Sequence, residues 1–360
     1  MSTVNLKRFV DINIRSNVPS QLVGTRDTIV LFTAAGTKGT IKTIASMSEA
    51  NQAYVDATTL AYLKMFFDNG GAKVQVIEGM SYTAITIDDI KALDNDLILV
   101  AFAYADDNII AAYTAIKSLA VQMNADQSVY GINEKILLAR TKTETDTDPV
   151  KNFAVKYSTV LGAEMTIAAY LSQIDVYDQA DVYDYAFTVE SITAESVGDT
   201  LFGTLMTNNY NVDVKLANAV RNLGGNCKNG EDLTNDYVRI ILHQTLTDRL
   251  VQLLVQKLKN TTGLAQIYTV ICQELEQYRV SGYLTNDKIW TKPDLVISYN
   301  QQDYTIIQKG TALTNGYIVK VLPFASLSDA DKAARKTPPI YVILADQYGI
   351  RQITVNGEVI

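Results

Sequence analysis

One histidine, two cysteines and one tryptophan in 360 residues leave little material for several kinds of chemistry. Zinc-type centres draw on clustered His and Cys ligands, and His243 has no second histidine to work with. Ser-His-Asp catalysis would also have to run through His243, and no Gly-x-Ser-x-Gly elbow accompanies it. His243 is therefore expected as a surface or interface residue of a helix. Cys272, set among apolar helix positions, is expected as a small buried hydrophobe rather than a nucleophile. Two cysteines imply no disulfide framework and are expected as free thiols in a reducing compartment. Neither G-x-x-x-x-G-K-[ST] nor G-x-G-x-x-G occurs, and GTKGT reads as a turn. No run approaches the ~20 apolar residues that span a bilayer, and MSTVNLKRFVDINIRS lacks the apolar core of a secretory leader. Synthesis and folding in the cytoplasm are expected, with no catalytic, cofactor-binding or metal-ligating residues.

Positive charge is also short: 31 Lys and Arg stand against 39 Asp and Glu, a net charge of −8. That balance disfavours nucleic acid and anionic membrane surfaces as partners. The 48% hydrophobic and 19% charged content belongs to a globular chain with real cores. Tyrosine is abundant, 21 residues, and suits either interfaces or half-buried positions.

The stretch FFDNGGAKVQVI, residues 66–77, pairs two glycines with a nearby lysine and so invites a phosphate-loop reading. Element order decides against it. Phosphate loops run strand, glycines, helix, presenting N–H groups to the anion. Here the helix comes first, and its C-terminal carbonyls carry partial negative charge. Asn69-Gly70-Gly71 is expected to close a helix, with glycine in the left-handed conformation.

Along the chain, residues 4–15 alternate as a half-buried strand, with Val4, Leu6, Val10, Ile12 and Ile14 on one side and Phe9 out of step. A polar connector with Pro19 cuts this strand off, so it folds back or pairs with another chain. TIVLFTA, AKVQVI, LILVAFA and KILLAR read as buried strands. Helical spacing appears from Ser46 to the Asn-Gly-Gly, near 107–123, and over 150–174. This alternation predicts an α/β layer with a partly parallel sheet. The Asp-Val-Tyr-Asp repeat over 175–185 lacks the ligand spacing and glycine of a calcium loop and reads as a solvated acidic surface. Residues 235–259 predict a long amphipathic helix after a short extended lead-in, with Thr245, Asp248, Arg249, Gln252, Gln256 and Lys259 on its polar side. A second helix runs to Gly282, and YIVKVLP, a helix over 327–336, PPIYVILA and IRQITV form a β-α-β-β finish.

TIVLFTAAGTKGTIKTIASMSEA, the helix end LAYLKMFFDNGG and the strand AKVQVIEG together resemble the tail sheath proteins of contractile bacteriophages and related injection machines. LMTNNYNVDVKLANAVRNLGGNCKNGEDLTNDYVRIILHQTLTDRLVQLLV and RKTPPIYVILADQYGIRQITVNGEV are similar to that family's second half and closing hairpin. The Pro-Gly-Val-Tyr type opening of many sheaths is absent, and so is a long C-terminal extension. The resemblance implies a mixed α/β, layered sheath fold with an arm at 1–27, an α/β domain at 28–200 and a C-terminal sheath domain at 201–360. It implies a non-enzymatic subunit that stacks as hexameric rings around a tail tube and contracts to drive the tube through an envelope. Implied partners are further copies of the chain, the tube protein, and baseplate and terminator proteins, in a virion tail or phage-tail-like particle assembled in the host bacterial cytoplasm. The strand carrying Val4, Leu6, Phe9, Val10, Ile12 and Ile14 would add to a neighbour's sheet. Tyr341, Ile343, Ile350, Ile353 and Val355 would lie in the receiving or C-terminal strands, and Lys332, Arg335 and Lys336 would face the tube. The competing readings are a small α/β enzyme, which would need acid/base groups converging at strand C-terminal ends, and another tail or baseplate scaffold protein.

Overall fold

The computed structural model describes residues 29–94, 96–126, 134–175, 184–255 and 260–346. The strand expected at 4–15, with Val4, Leu6, Phe9, Val10, Ile12 and Ile14, lies outside them, as do Ile350, Ile353 and Val355.

The first part of the chain runs β1 (Ile29–Phe32), β2 (Ile41–Ile44), α1 (Met47–Ala53), α2 (Ala57–Asp68), β3 (Val74–Ile77), α3 (Ile87–Lys91), β4 (Leu99–Phe102), α4 (Ile109–Ala125), β5 (Ile136–Thr141), β6 (Phe153–Tyr157), α5 (Met165–Leu171), α6 (Asp199–Thr207), β7 (Asn211–Leu216) and β8 (Ala219–Leu223). Its strands form one eight-stranded sheet in the order β2-β3-β1-β4-β5-β6-β7-β8. The pairs from β3 through β7 are parallel, and β2 and β8 close the edges antiparallel. Strands β1, β4 and β5 are buried along their whole length, which is why β1 and β4 are unbroken apolar runs and β5 is apolar as far as Ala139. The sheet runs through residue 200, since β7 and β8 join it from the C-terminal side.

The second part runs α7 (Leu233–Val255), α8 (Asn260–Val280), β9 (Leu295–Tyr299), β10 (Gln302–Ile307), β11 (Tyr317–Val321), α9 (Asp329–Ala333) and β12 (Ile340–Leu344). Here β9–β10 and β11–β12 are separate two-stranded antiparallel ribbons. The fold is thus mixed α/β.

Several expectations need correction. Residues 150–174 are not one helix: Phe153–Tyr157 is a strand, and only Met165–Leu171 is helical. A strand buried on both faces carries no period of its own, so its apolar run was open to a helical reading. The helix after Ser46 is two helices, because Asp56 caps α2 by accepting from the Thr59 N–H, just as Ser46 caps α1. Helix α7 begins at Leu233 with no extended lead-in. It is buried all round from Leu233 to Thr247, so Asp236, Arg239, Gln244 and Thr245 lie inside the protein. His243 is buried too, at 7% exposure, rather than on the surface. Only near Arg249 and Gln252 does α7 show the expected exposed polar side. The helix expected over 327–336 shortens to five residues. Cys227 is buried, while Cys272 is half-buried, and both are free thiols. Many tyrosines are core residues, among them the fully buried Tyr62, Tyr185, Tyr210, Tyr237, Tyr278 and Tyr283.

The Asn-Gly-Gly segment closes α2. Gly70 sits at φ +88 and donates to Phe67 O at 3.1 Å, while Gly71 donates to Phe66 O at 3.0 Å. These two bonds satisfy helix carbonyls that would otherwise be orphaned. Asn69 Oδ1 accepts from the Ser191 N–H, and Asn69 O accepts from Gln173 Nε2, which ties the helix end to two distant segments. A Cβ on Gly71 would stand 2.3 Å from the buried Phe66 ring. Gly71→Ala is therefore expected to lower stability by about 1–3 kcal/mol through overpacking, read as a fall in denaturant midpoint at unchanged m-value.

Candidate assembly edge and buried ionic centres

The five-residue strands β11 and β12 pair over their whole length, with Ile318 opposite Ile343 and Lys320 opposite Tyr341. Alternation sends their side chains to opposite faces. On one face Tyr317, Val319, Ile340, Val342 and Leu344 pack with the main core; on the other Ile318, Tyr341, Ile343 and Ala345 pack with the cluster around β9 and β10. Both faces of this ribbon are therefore covered.

Its edges are a different matter. Ala345 N–H donates to Gly316 O and Leu322 N–H to Pro339 O. The alternation of antiparallel bonding then aims the backbone groups of Ile340, Val342 and Leu344 away from β11, and those of Tyr317, Val319 and Val321 away from β12. Among the described residues no strand runs beside either edge, and only the bridge between Leu284 and Asp346 closes the end of β12. Tyr341 and Ile343 thus sit in this ribbon with side chains on the β9–β10 side.

Lys332 belongs to α9, and Arg335 and Lys336 follow it. Lys332 Nζ reaches Asp329 Oδ1 at 3.3 Å and Lys336 Nζ reaches Asp331 Oδ1 at 2.8 Å. Arg335 has φ +56, the left-handed turn that ends the helix. Lys332 and Lys336 are therefore paired with acids of α9.

Several of the carboxylates that sequence could not pair are bound in buried ionic centres. At the C-terminal end of β5, Arg140 bonds Asp106 at 2.8 Å and approaches Glu164 at 3.6 Å, while Tyr62 donates to Glu164 at 2.9 Å. Strand C-terminal ends are where doubly wound enzymes hold ligands. Here Arg140 and Glu164 fill that position and are fully buried against each other. Burial raises the Glu164 carboxyl, with Arg140 opposing.

A second centre joins the two parts of the chain. Arg239 of α7 bonds Glu134 at 3.1 Å, ahead of β5, and lies 3.3 Å from Asp236. Glu134 also accepts from Asn152 Nδ2 at 2.6 Å, ahead of β6, and pairs with Lys151 at 3.1 Å. Burial alone would raise Glu134, but Arg239, Lys151 and Asn152 outweigh it and hold the carboxyl at about 2. Asp236 is pushed the other way, to about 7, by burial above all and by Glu231, against the pull of Arg239. A third centre surrounds Lys228, whose Nζ donates to Asp146 O and Asn208 O and lies 3.8 Å from the Tyr210 ring centre. Burial lowers that amine to about 8.

Residues 235–359 match the family described as E217 tail sheath protein gp31-like, C-terminal domain. The fold is similar to a chain of the anti-feeding prophage helical sheath in its contracted state, with a TM-score of 0.63 at 16% identity over 97% of this chain and 98% of that one. A chain of the 6-fold symmetrised baseplate of the same kind of particle gives a TM-score of 0.67 at 15% identity, again over 97% and 98%. The sheath tail protein of Listeria innocua gives 0.53 at 9% identity, over 74% of this chain and 88% of that one. These likenesses are of fold. No curated protein matches the chain by sequence.

The Arg239 centre fixes two signs of pH dependence. Glu134 has a depressed folded value, so its stabilisation is present above pH 4.5 and lost as pH falls towards 2. Asp236 has a raised one, so its protonated form favours the fold below pH 3.8 and that contribution is lost as pH rises through 7. In pH-dependent urea titrations, Glu134→Gln is expected to flatten the acid limb and cost about 3 kcal/mol at neutral pH. Asp236→Asn is expected to remove the decline between about pH 4 and 7.

Proposed function

We infer that this chain is a contractile tail sheath protein that polymerises as stacked hexameric rings around a tail tube and contracts to drive that tube through a target envelope, a reading supported by the match over 235–359 and by the likeness of fold. The observation that carries this reading is the β11–β12 ribbon. An isolated two-stranded ribbon is marginal; here burial of both faces stabilises it, and among the described residues no strand fills its outer hydrogen-bonding rows. Strand addition from neighbouring copies completes such a sheet with main-chain bonds. The arm at 1–27 donates Val4, Leu6, Phe9, Val10, Ile12 and Ile14, while Tyr341 and Ile343 belong to the receiving sheet and Ile350, Ile353 and Val355 to the adjoining C-terminal strand. The linker at 16–27 absorbs rotation as the body moves.

In this reading the α/β domain forms the moving body and the C-terminal domain the jointed mesh. Since the eight-stranded sheet continues to Leu223 and the sheath-domain match begins at residue 235, we place their boundary between those points rather than at 200. Lys332, Arg335 and Lys336 face the tube, with baseplate and terminator proteins at the two ends of the sleeve. The assembly site is the host bacterial cytoplasm and the destination a tail or tail-like particle.

The test is negative-stain electron microscopy of the full chain with tube protein, beside a variant lacking residues 1–16 and beside Val342→Pro. Proline removes an outward N–H of β12 without touching its bonds to β11. Sheaths or rings are expected from the full chain and loss of both from each variant, with far-UV circular dichroism unchanged for Val342→Pro. Full-chain protein that stays monomeric with tube protein present would overturn the reading.

A further inference from the structure

Lys156 stands one residue from the end of β6 with its side chain fully buried, facing a set of groups arranged for more than an ion pair. Its Nζ lies 2.7 Å from Asp213 Oδ1, 2.8 Å from Glu190 Oε2 and 3.3 Å from Asn222 Oδ1. Thr166 Oγ1 at 3.0 Å and Tyr185 Oη at 2.7 Å complete the amine's surroundings, and Tyr185 Oη donates to Glu190 Oε1 at 2.6 Å.

Sheet register explains the convergence. Lys156 pairs with Asn211 on β7, so Asp213, two residues on, shares its face; Asp213 in turn pairs with Asn222 on β8. Asp213 and Asn222 are both fully buried, and Glu190 is 7% exposed. Two carboxyl groups meet one amine here, so they cannot all ionise without leaving an uncompensated buried charge. Burial raises the Asp213 carboxyl well above its ordinary range, Lys156 opposing and Glu190 adding to the rise. A neutral carboxyl beside an amine, held in contact and shut away from water, is the ground state of an amide condensation.

We propose that Lys156 and Asp213 join through an intramolecular isopeptide bond, formed by the folded chain itself with Glu190 as the proton carrier. With Asp213 carrying its carboxyl proton, Glu190 takes one proton from the Lys156 ammonium and leaves a free amine beside a neutral acid. The Nζ lone pair then attacks Asp213 Cγ and forms the C–N bond. Glu190 gives its proton to the departing hydroxyl as the Cγ–O bond breaks, and takes the second nitrogen proton. One water leaves, Glu190 ends protonated, and no oxidant or external reactant is consumed. The bond would cross between β6 and β7, whose ladder is only two residue pairs long, and so would staple the β7–β8 hairpin to the rest of the sheet.

Intact-mass spectrometry of the denatured full-length protein, after purification in its folded state, tests this directly. The wild-type chain is expected to be lighter than its sequence by one water, and proteolysis to yield a branched peptide joining Lys156 to Asp213. Asp213→Asn is expected to form the same amide with loss of ammonia, so that its linked product has the wild-type linked mass. Lys156→Arg should retain its full sequence mass. Glu190→Gln should form the bond at least about tenfold more slowly, with a far-UV spectrum like that of wild type. A folded wild-type chain at its full sequence mass would overturn the proposal and leave an ordinary buried ion pair. Loss of ammonia from the wild type, with a branch at Asn222, would overturn the assignment to Asp213.

Discussion

The contact between Arg239 and Glu134 carries more of this architecture than any other single interaction. It bonds the first turns of α7 to the segments that enter β5 and β6, so the helix that opens the second part of the chain is fixed to the N-terminal ends of central strands. Buried ion pairs contribute little net stability relative to apolar packing, yet breaking one is costly because a bare charge remains. Such a contact acts as a register pin. Together with the apolar residues that surround it, it gives α7 one orientation against the sheet, and the placement of α8 and the ribbons follows from that.

The other ionic centres repeat this pattern at different levels of the sheet. Arg140 closes the C-terminal end of β5 and Lys156 the face of β6 and β7, and Lys228 ties the 227–230 turn to the loop at Asp146. Each joins elements far apart in sequence through a long cation whose stem packs in the core. In the proposed sheath such ties would hold strands and helices of the moving body in fixed register.

Much of the sheet was readable in advance. Ile29–Phe32, Leu99–Phe102 and 136–139 are apolar because parallel central strands are covered on both sides, and the turn at Asn69 follows from element order. The strand Phe153–Tyr157 escaped because it is short and buried on both faces, so its side chains show no alternation to set it apart from the helical spacing that follows. The interior of α7 escaped because its polar residues imitate a solvent-facing stripe; their partners lie about a hundred residues upstream, as Glu134 does for Arg239, and no local pattern encodes that distance. One signal was present all the same. Arg140, Lys156 and Arg239 each stand alone in an apolar run, and a lone cation there marks a buried partner. Of the candidate assembly residues, the positions in β12 could be placed, but nothing in a single sequence says which edges remain open.

The shortness of β11 and β12 has a thermodynamic consequence. Among the described residues, three residues on each outer edge, Ile340, Val342 and Leu344 on one, present three N–H and three C=O groups for strand addition. At about 0.5–1.5 kcal/mol net for each bond formed, one docked strand holds its neighbour by a few kcal/mol before side-chain contacts. In the proposed assembly a bond of that size would open on its own, so a misplaced subunit could leave and re-enter. With several neighbours engaging one subunit the contacts would act at high effective concentration, and the lattice would be permanent although no joint in it is.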